Sequence, residues 1–156
     1  MKIPCITCGS LDGKISLTPG GVIFSGTHWQ IEHANPTSIK GWLVCILKRH
    51  ANALHELDGY EFTELAKLQR IATLALHEVL QSEKEYAVCF AESEGFQHIH
   101  FHIIARPKDL PDENKGSLIF SCIGKGVAEP LSADDIINLS TALKNVFEKL
   151  SLTQET

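Results

Sequence analysis

From His98 to Ala105 the chain reads "HIHFHIIA", an imidazole at every second position with hydrocarbon between. Only an extended strand sends alternate side chains to opposite faces. His98, His100 and His102 are therefore expected on one face, with Ile99, Phe101 and Ile103 turned into a core. At about 3.3 Å per residue, the outer two Cα atoms lie roughly 13 Å apart, too far for three rings to close on one ion. The row has at least two tasks. One such histidine would read as solvated surface; three in alternation, out of eight in the whole chain, do not.

Turn signals and hydrophobic periods place the other elements. "GVIFSG" and "HWQIEHA" are short strands parted by Gly26 and Thr27. "GWLVCIL", Gly41 to Leu47, is apolar throughout between Lys40 and Lys48 and suits a central buried strand. From Tyr60 to Leu80 the residues Phe62, Leu65, Leu68, Ile71, Leu74, Leu76 and Val79 recur mostly at three- and four-residue steps, one face of a long amphipathic helix. "EYAVCFAE" is a strand ahead of the histidines, and "RPKDLPDENKGS" is a loop by its prolines and charges. Ser132-x-x-Asp135 resembles a capping box opening the last helix, "DDIINLSTALKNVFEKL". The expected class is α+β: a mainly antiparallel sheet with one long helix packed on it and a C-terminal helix. One domain is expected over residues 1–156, its core at about 3–110 and a C-terminal helical extension at about 132–151.

Composition narrows the function. A chain with 44% hydrophobic and 21% charged residues folds rather than staying disordered. A net charge of −5 argues against a general nucleic-acid binder and leaves room for a small anionic ligand at a local site. No apolar run approaches the roughly 20 residues that span a bilayer, and "MKIPCITCGSLDGK" lacks the apolar core of a signal peptide. Five cysteines, an odd count, do not read as a secreted disulfide framework. A cytoplasmic protein with no membrane partner is expected.

Two of those thiols form Cys5-x-x-Cys8, the spacing of half a zinc site. Histidine nitrogens are the usual complement. His50, in "LKRHANAL", and His98, the first of the row, are the candidates. Two ordinary thiols near a terminus are the alternative; a redox pair lacks its usual βαβ context.

The segment "HIHFHII", His98 to Ile104, matches throughout the histidine triad signature His-φ-His-φ-His-φ-φ, with φ apolar. "PCITCGSLDGK", "GWLVCILKRHANALHEL" and "EYAVCFAESEGFQ" resemble the segments that accompany it in that family, over roughly residues 3–110. The resemblance implies an α+β fold, a homodimer, and binding of a small-molecule nucleotide with hydrolysis or transfer at the α-phosphate. By position, His100 is implied as the catalytic nucleophile. His102 is implied as the catalytic partner that contacts the phosphate. In zinc-bearing members two cysteines, an upstream histidine and the first triad histidine hold the metal, and those positions match Cys5, Cys8, His50 and His98.

The residue types suit that chemistry. A neutral imidazole attacks phosphorus near neutral pH, and a phosphohistidine splits one hard displacement into two easier ones. The other ring nitrogen of His100 has to keep its proton, and a backbone carbonyl is the expected acceptor. Gly95 either lets backbone amides approach the phosphate or is simply a turn glycine. Trp42 stands where many members carry histidine, Leu47 replaces the usual proline, and Glu92, Ser93 and Glu94 replace an amide and hydroxyl stretch. Family topology would put the nucleoside near Phe24 and His33, although each reads first as packing. Lys48, Arg49 and Arg106 read equally as phosphate clamps and as solvated strand ends. The leading expectation is a hydrolase of nucleoside monophosphate esters, anhydrides or phosphoramidates, such as dinucleoside polyphosphates. The alternatives are a zinc-stabilised nucleotide-binding module and a nucleotidyl transferase.

Overall fold

The computed structural model describes residues 4–153. Five strands form one antiparallel sheet: β1 (Val22–Ser25), β2 (Trp29–His33), β3 (Trp42–Leu47), β4 (Glu85–Val88) and β5 (His100–Ala105). Their order is β1-β2-β3-β5-β4, so the continuous apolar run lies in the middle of the sheet, beside the histidine strand. A strand so placed has both faces covered, and that is why β3 does not alternate.

Among the described residues there are three α-helices: α1 (Ile6–Leu11), α2 (Gly59–Leu80) and α3 (Ala133–Leu152). The start of α2 is fixed by a capping box: Asp58 accepts from the amides of Tyr60 and Glu61, and the Glu61 carboxylate accepts from the Asp58 amide. The helix ends at Gln81, which adopts a left-handed conformation with φ of 54°. Leu65, Leu68, Ile71, Ala72, Ala75 and Leu76 form its buried stripe, while Phe62 and Leu74 stay exposed at the margin of the face.

Ser132 caps α3 by accepting from the Asp135 amide. Leu143 and Phe147 of α3 are fully buried in the main core, and Phe147 stacks on Phe24 at 5.8 Å. Helices α2 and α3 thus cover the sheet face that carries Trp29, Ile31, Leu43, Cys45, Leu47 and Ile103. Among the described residues no helix is long and apolar enough to cross a membrane.

The opposite face is covered at one end by a smaller core of Ala34, Ile39, Trp42, Ile104, Leu110, Ile119 and Cys122. The segment after β5, expected as a plain loop, contains two 3-10 turns, Asp112–Asn114 and Gly116–Cys122. Its residues Leu110, Ile119 and Cys122 pack on the sheet, and Phe120 stands against His102.

One expectation needs correction. The histidine strand begins at His100, and His98 lies ahead of it in an irregular turn. Its neighbour Ile99 donates to the carbonyl of Ala51 and still points into the core. The His98 ring has left the row: it is fully buried and faces the N-terminal cysteines.

Candidate active site and metal centre

Strand register builds the histidine face row by row. His102 pairs with Val44 on one side and Val88 on the other, and Val44 pairs with Glu32. His100 pairs with Ile46, which pairs with Gln30. Directly paired residues share a face, so both histidines stand with Gln30, Glu32 and Trp42 on the side away from α2 and α3.

His100 Nδ1 lies 2.6 Å from the carbonyl oxygen of His98. A carbonyl only accepts, so Nδ1 carries the proton and Nε2 presents its lone pair. This is the arrangement expected for an attacking imidazole. Burial lowers the pKa of His100, partly opposed by that hydrogen bond, so the neutral form prevails at neutral pH.

His102, 9% exposed, has the opposite tautomer. The Trp42 indole Nε1–H donates to His102 Nδ1 at 2.9 Å. Indole nitrogen is a donor only, so Nδ1 holds a lone pair and the proton sits on Nε2. Burial, with His100 beside it, pushes the pKa of His102 down to about 3. The rings of His100 and His102 are 5.0 Å apart, and Phe120 stands edge-on to His102 at 5.0 Å. The face therefore offers one nitrogen lone pair and one N–H donor side by side.

His98 belongs to a second cluster. The ligand atoms of Cys5, Cys8, His50 and His98 all lie within 4.8 Å of one another. Cys8 Sγ is 3.3 Å from His50 Nδ1 and 3.5 Å from His98 Nδ1, and Cys5 Sγ is 3.6 Å from His98 Nδ1. Zinc–sulfur and zinc–nitrogen bonds of about 2.3 and 2.0 Å at tetrahedral angles put sulfur and nitrogen roughly 3.5 Å apart. The four donors fit that ion. The rear nitrogen of His98, Nε2, is 2.6 Å from the Leu47 carbonyl, which fixes Nδ1 as the ligand atom. Burial and the neighbouring Cys5 push the Cys8 thiol up to about 11, a penalty that a divalent cation would reverse.

The remaining candidates take other places. Gly95, with φ of 81°, sits in the turn before His98, and its carbonyl accepts from the Ile6 amide, tying α1 to the sheet. Phe24 and His33 are packing residues. His33 Nδ1 is bonded to the Ala34 carbonyl and its Nε2 accepts from the Gly41 amide, closing the β2–β3 connection. The basic side chains are engaged elsewhere: Lys48 with the Gly26 carbonyl, Arg49 with Glu61 and the Glu56 carbonyl, Arg106 with Glu83. Glu92, Ser93 and Glu94 are exposed in the turn. Nothing local in the sequence marks Trp42 as the partner of His102, 60 residues away.

No family model matches the chain. Over 78 residues it is 35% identical to adenosine 5'-monophosphoramidase hnt1 of Schizosaccharomyces pombe, a match spanning 47% of this chain and 54% of that protein. A zinc-bound histidine triad family protein from Mycobacterium smegmatis superposes with a TM-score of 0.68 at 14% identity, covering 96% of both chains. A hypothetical histidine triad nucleotide-binding protein from Sulfolobus tokodaii gives 0.71 at 19% identity over 94% of this chain and 93% of that one. The chain has the histidine triad fold, and the resemblance read from "HIHFHII" stands.

Proposed function

We propose that this chain of histidine triad fold is a nucleotide-binding hydrolase that cleaves at the α-phosphate of a nucleoside monophosphate ester, anhydride or phosphoramidate. The observation that carries the reading is the hydrogen bond from His100 Nδ1 to the His98 carbonyl, which leaves the lone pair on Nε2. In the first step Nε2 forms a bond to the α-phosphorus, and the leaving group departs with the electron pair of the broken bond and takes a proton from solvent. In the second, water attacks the same phosphorus and gives up a proton to solvent, the N–P bond returns its electrons to Nε2, and nucleoside monophosphate leaves. His102 donates its Nε2–H to a phosphoryl oxygen as charge builds there. The relative in Schizosaccharomyces pombe, an adenosine 5'-monophosphoramidase, supports keeping phosphoramidates among the test substrates.

Cys5, Cys8, His50 and His98 would hold a zinc ion, which supplies folding free energy and steadies the residue whose carbonyl orients His100. A homodimer in a reducing, cytoplasmic setting belongs to the same proposal, and sedimentation tests the dimer.

A second reading is a zinc-stabilised nucleotide-binding module with little catalysis. It is favoured by Lys48, Arg49 and Arg106, which are engaged with carbonyls and carboxylates rather than with the histidine face. Release of nucleoside monophosphate from adenosine and guanosine phosphoramidates and dinucleoside polyphosphates separates the two. Wild type and His100→Asn are compared at matched zinc content. Turnover by wild type that disappears in the variant supports the hydrolase, and an added nucleophile that captures the nucleotidyl group would mark a transferase. Tight nucleotide binding by both proteins, with turnover by neither, leaves the module.

A further inference from the structure

His102 carries one ring proton, at Nε2, and has no room for a second. Its Nδ1 accepts the Trp42 indole N–H at 2.9 Å, and an indole nitrogen cannot accept in return. A proton placed on Nδ1 would set two donors face to face where Trp42 is fully buried and His102 is nearly so. Phe120 closes a neighbouring side, its ring 5.0 Å from that of His102 and 5.2 Å from that of Trp42. Burial acts in the same direction, pushing the pKa of His102 down to about 3.

A neutral imidazole of this kind gives a hydrogen bond and keeps its proton. Full transfer from Nε2 would leave an imidazolate anion among aromatic rings. His100 has no proton to spare either, because its Nδ1–H is held by the His98 carbonyl and its Nε2 is the atom that joins phosphorus. Other titratable groups are placed or engaged elsewhere. Glu32 lies two strand spacings from His102 through Val44, roughly 10 Å, and is bonded to Gln30. Lys48, Arg49 and Arg106 are bonded to carbonyls and carboxylates.

We infer that this site cleaves bonds whose leaving group departs as a stable anion, namely phosphoric anhydrides and esters of acidic hydroxyls, and that Trp42 sets this limit by holding His102 in its Nε2–H form. The inference rests on the hydrolase reading above and narrows its bond types. As His100 Nε2 joins the α-phosphorus, the bond from phosphorus to the leaving atom breaks, and its electron pair goes with that atom. A phosphate oxygen or an acidic phenol oxygen carries the pair unaided and meets its proton later, in solvent. An amine nitrogen or an alkyl oxygen needs the proton as the bond breaks, and a general acid that supplies one is worth about 10²–10⁴ in rate. Trp42 is a positioning residue in this scheme: it acts through His102.

The test compares four derivatives of adenosine 5'-monophosphate on the zinc-replete protein: diadenosine triphosphate, the 4-nitrophenyl ester, the phenyl ester and the anilide. The last three share a ring, and kcat/KM reports departure of the leaving group whatever the speed of the later hydrolysis. The anhydride and the nitrophenyl ester are expected to turn over, with the phenyl ester and the anilide about 100-fold slower or more. In Trp42→Phe the freed Nδ1 can take a proton. Turnover of the nitrophenyl ester is then expected to fall, and its lead over the anilide to narrow about 10-fold or more. Damage to the fold alone would lower all four rates alike. The wild-type series decides the bond class even where the variant does not fold. Phenyl ester and anilide cleaved by wild type within about 10-fold of the nitrophenyl ester overturn the inference and leave the hydrolase standing. A wide spread that Trp42→Phe leaves unchanged overturns the role of Trp42. Cleavage of none of the four, with adenosine 5'-monophosphate still bound, overturns the hydrolase reading and the inference with it.

Discussion

At the scale of single residues, the proposed chemistry turns on which nitrogen carries a proton, and one backbone and one side-chain partner decide it. His100 is oriented by a carbonyl two residues earlier, a relation that the chemistry of the row could anticipate. His102 is oriented by Trp42, which the row could not anticipate because the bond joins β5 to β3. Trp42→Phe keeps an aromatic ring and removes the donor. The fixed Nε2–H tautomer of His102 is then expected to give way to a mixture, visible in the ring ¹⁵N shifts, and turnover is expected to fall about 10-fold or more as the aimed donor is lost. Unchanged shifts in the variant would sink the claim that the indole sets the tautomer.

Among the elements, legibility followed periodicity. Helix α2 was readable because its buried stripe is long and regular, strand β3 because it is apolar throughout, and α3 because Ser132 marks its start. Helix α1 has six residues, too few for a period, and is held by Cys5, Cys8 and the Ile6–Gly95 bond instead. The turns after β5 follow neither a helical nor a strand period, yet place Ile119 and Cys122 on the sheet. Two predictions belong here. Asp58→Ala removes an acceptor from the amides of Tyr60 and Glu61 and is expected to cost about 1 kcal/mol in denaturant unfolding. Zinc added to the metal-free protein is expected to raise the melting temperature and slow amide exchange over residues 5–13, and to do neither in Cys8→Ser. Equal responses in the two proteins would remove the metal from the fold.

For the whole molecule, the buried imidazoles set how stability depends on pH. His33, His98, His100 and His102 all have pKa values lowered from 6.5, chiefly by burial. Each is neutral in the folded chain and takes a proton on unfolding once the pH falls below about 6.5. The unfolded state then binds more protons, so stability declines with falling pH. For His102 the decline runs from about 6.5 down to about 3 and approaches 1.4 kcal/mol per pH unit inside that window. Carboxylates do not mask the upper part of it. Glu61, Asp112 and Asp135 have lowered values, and their stabilising effect is lost only at more acid pH. Glu32, with a raised value, opposes the trend by favouring the folded state as it protonates. The urea midpoint is therefore expected to fall clearly between pH 7.5 and pH 5.5, and to fall less in His102→Gln, which has nothing to protonate. A midpoint flat over that range would mean that these histidines are charged, or reached by water, in the folded chain. It would also remove the neutral His102 on which the donor role depends.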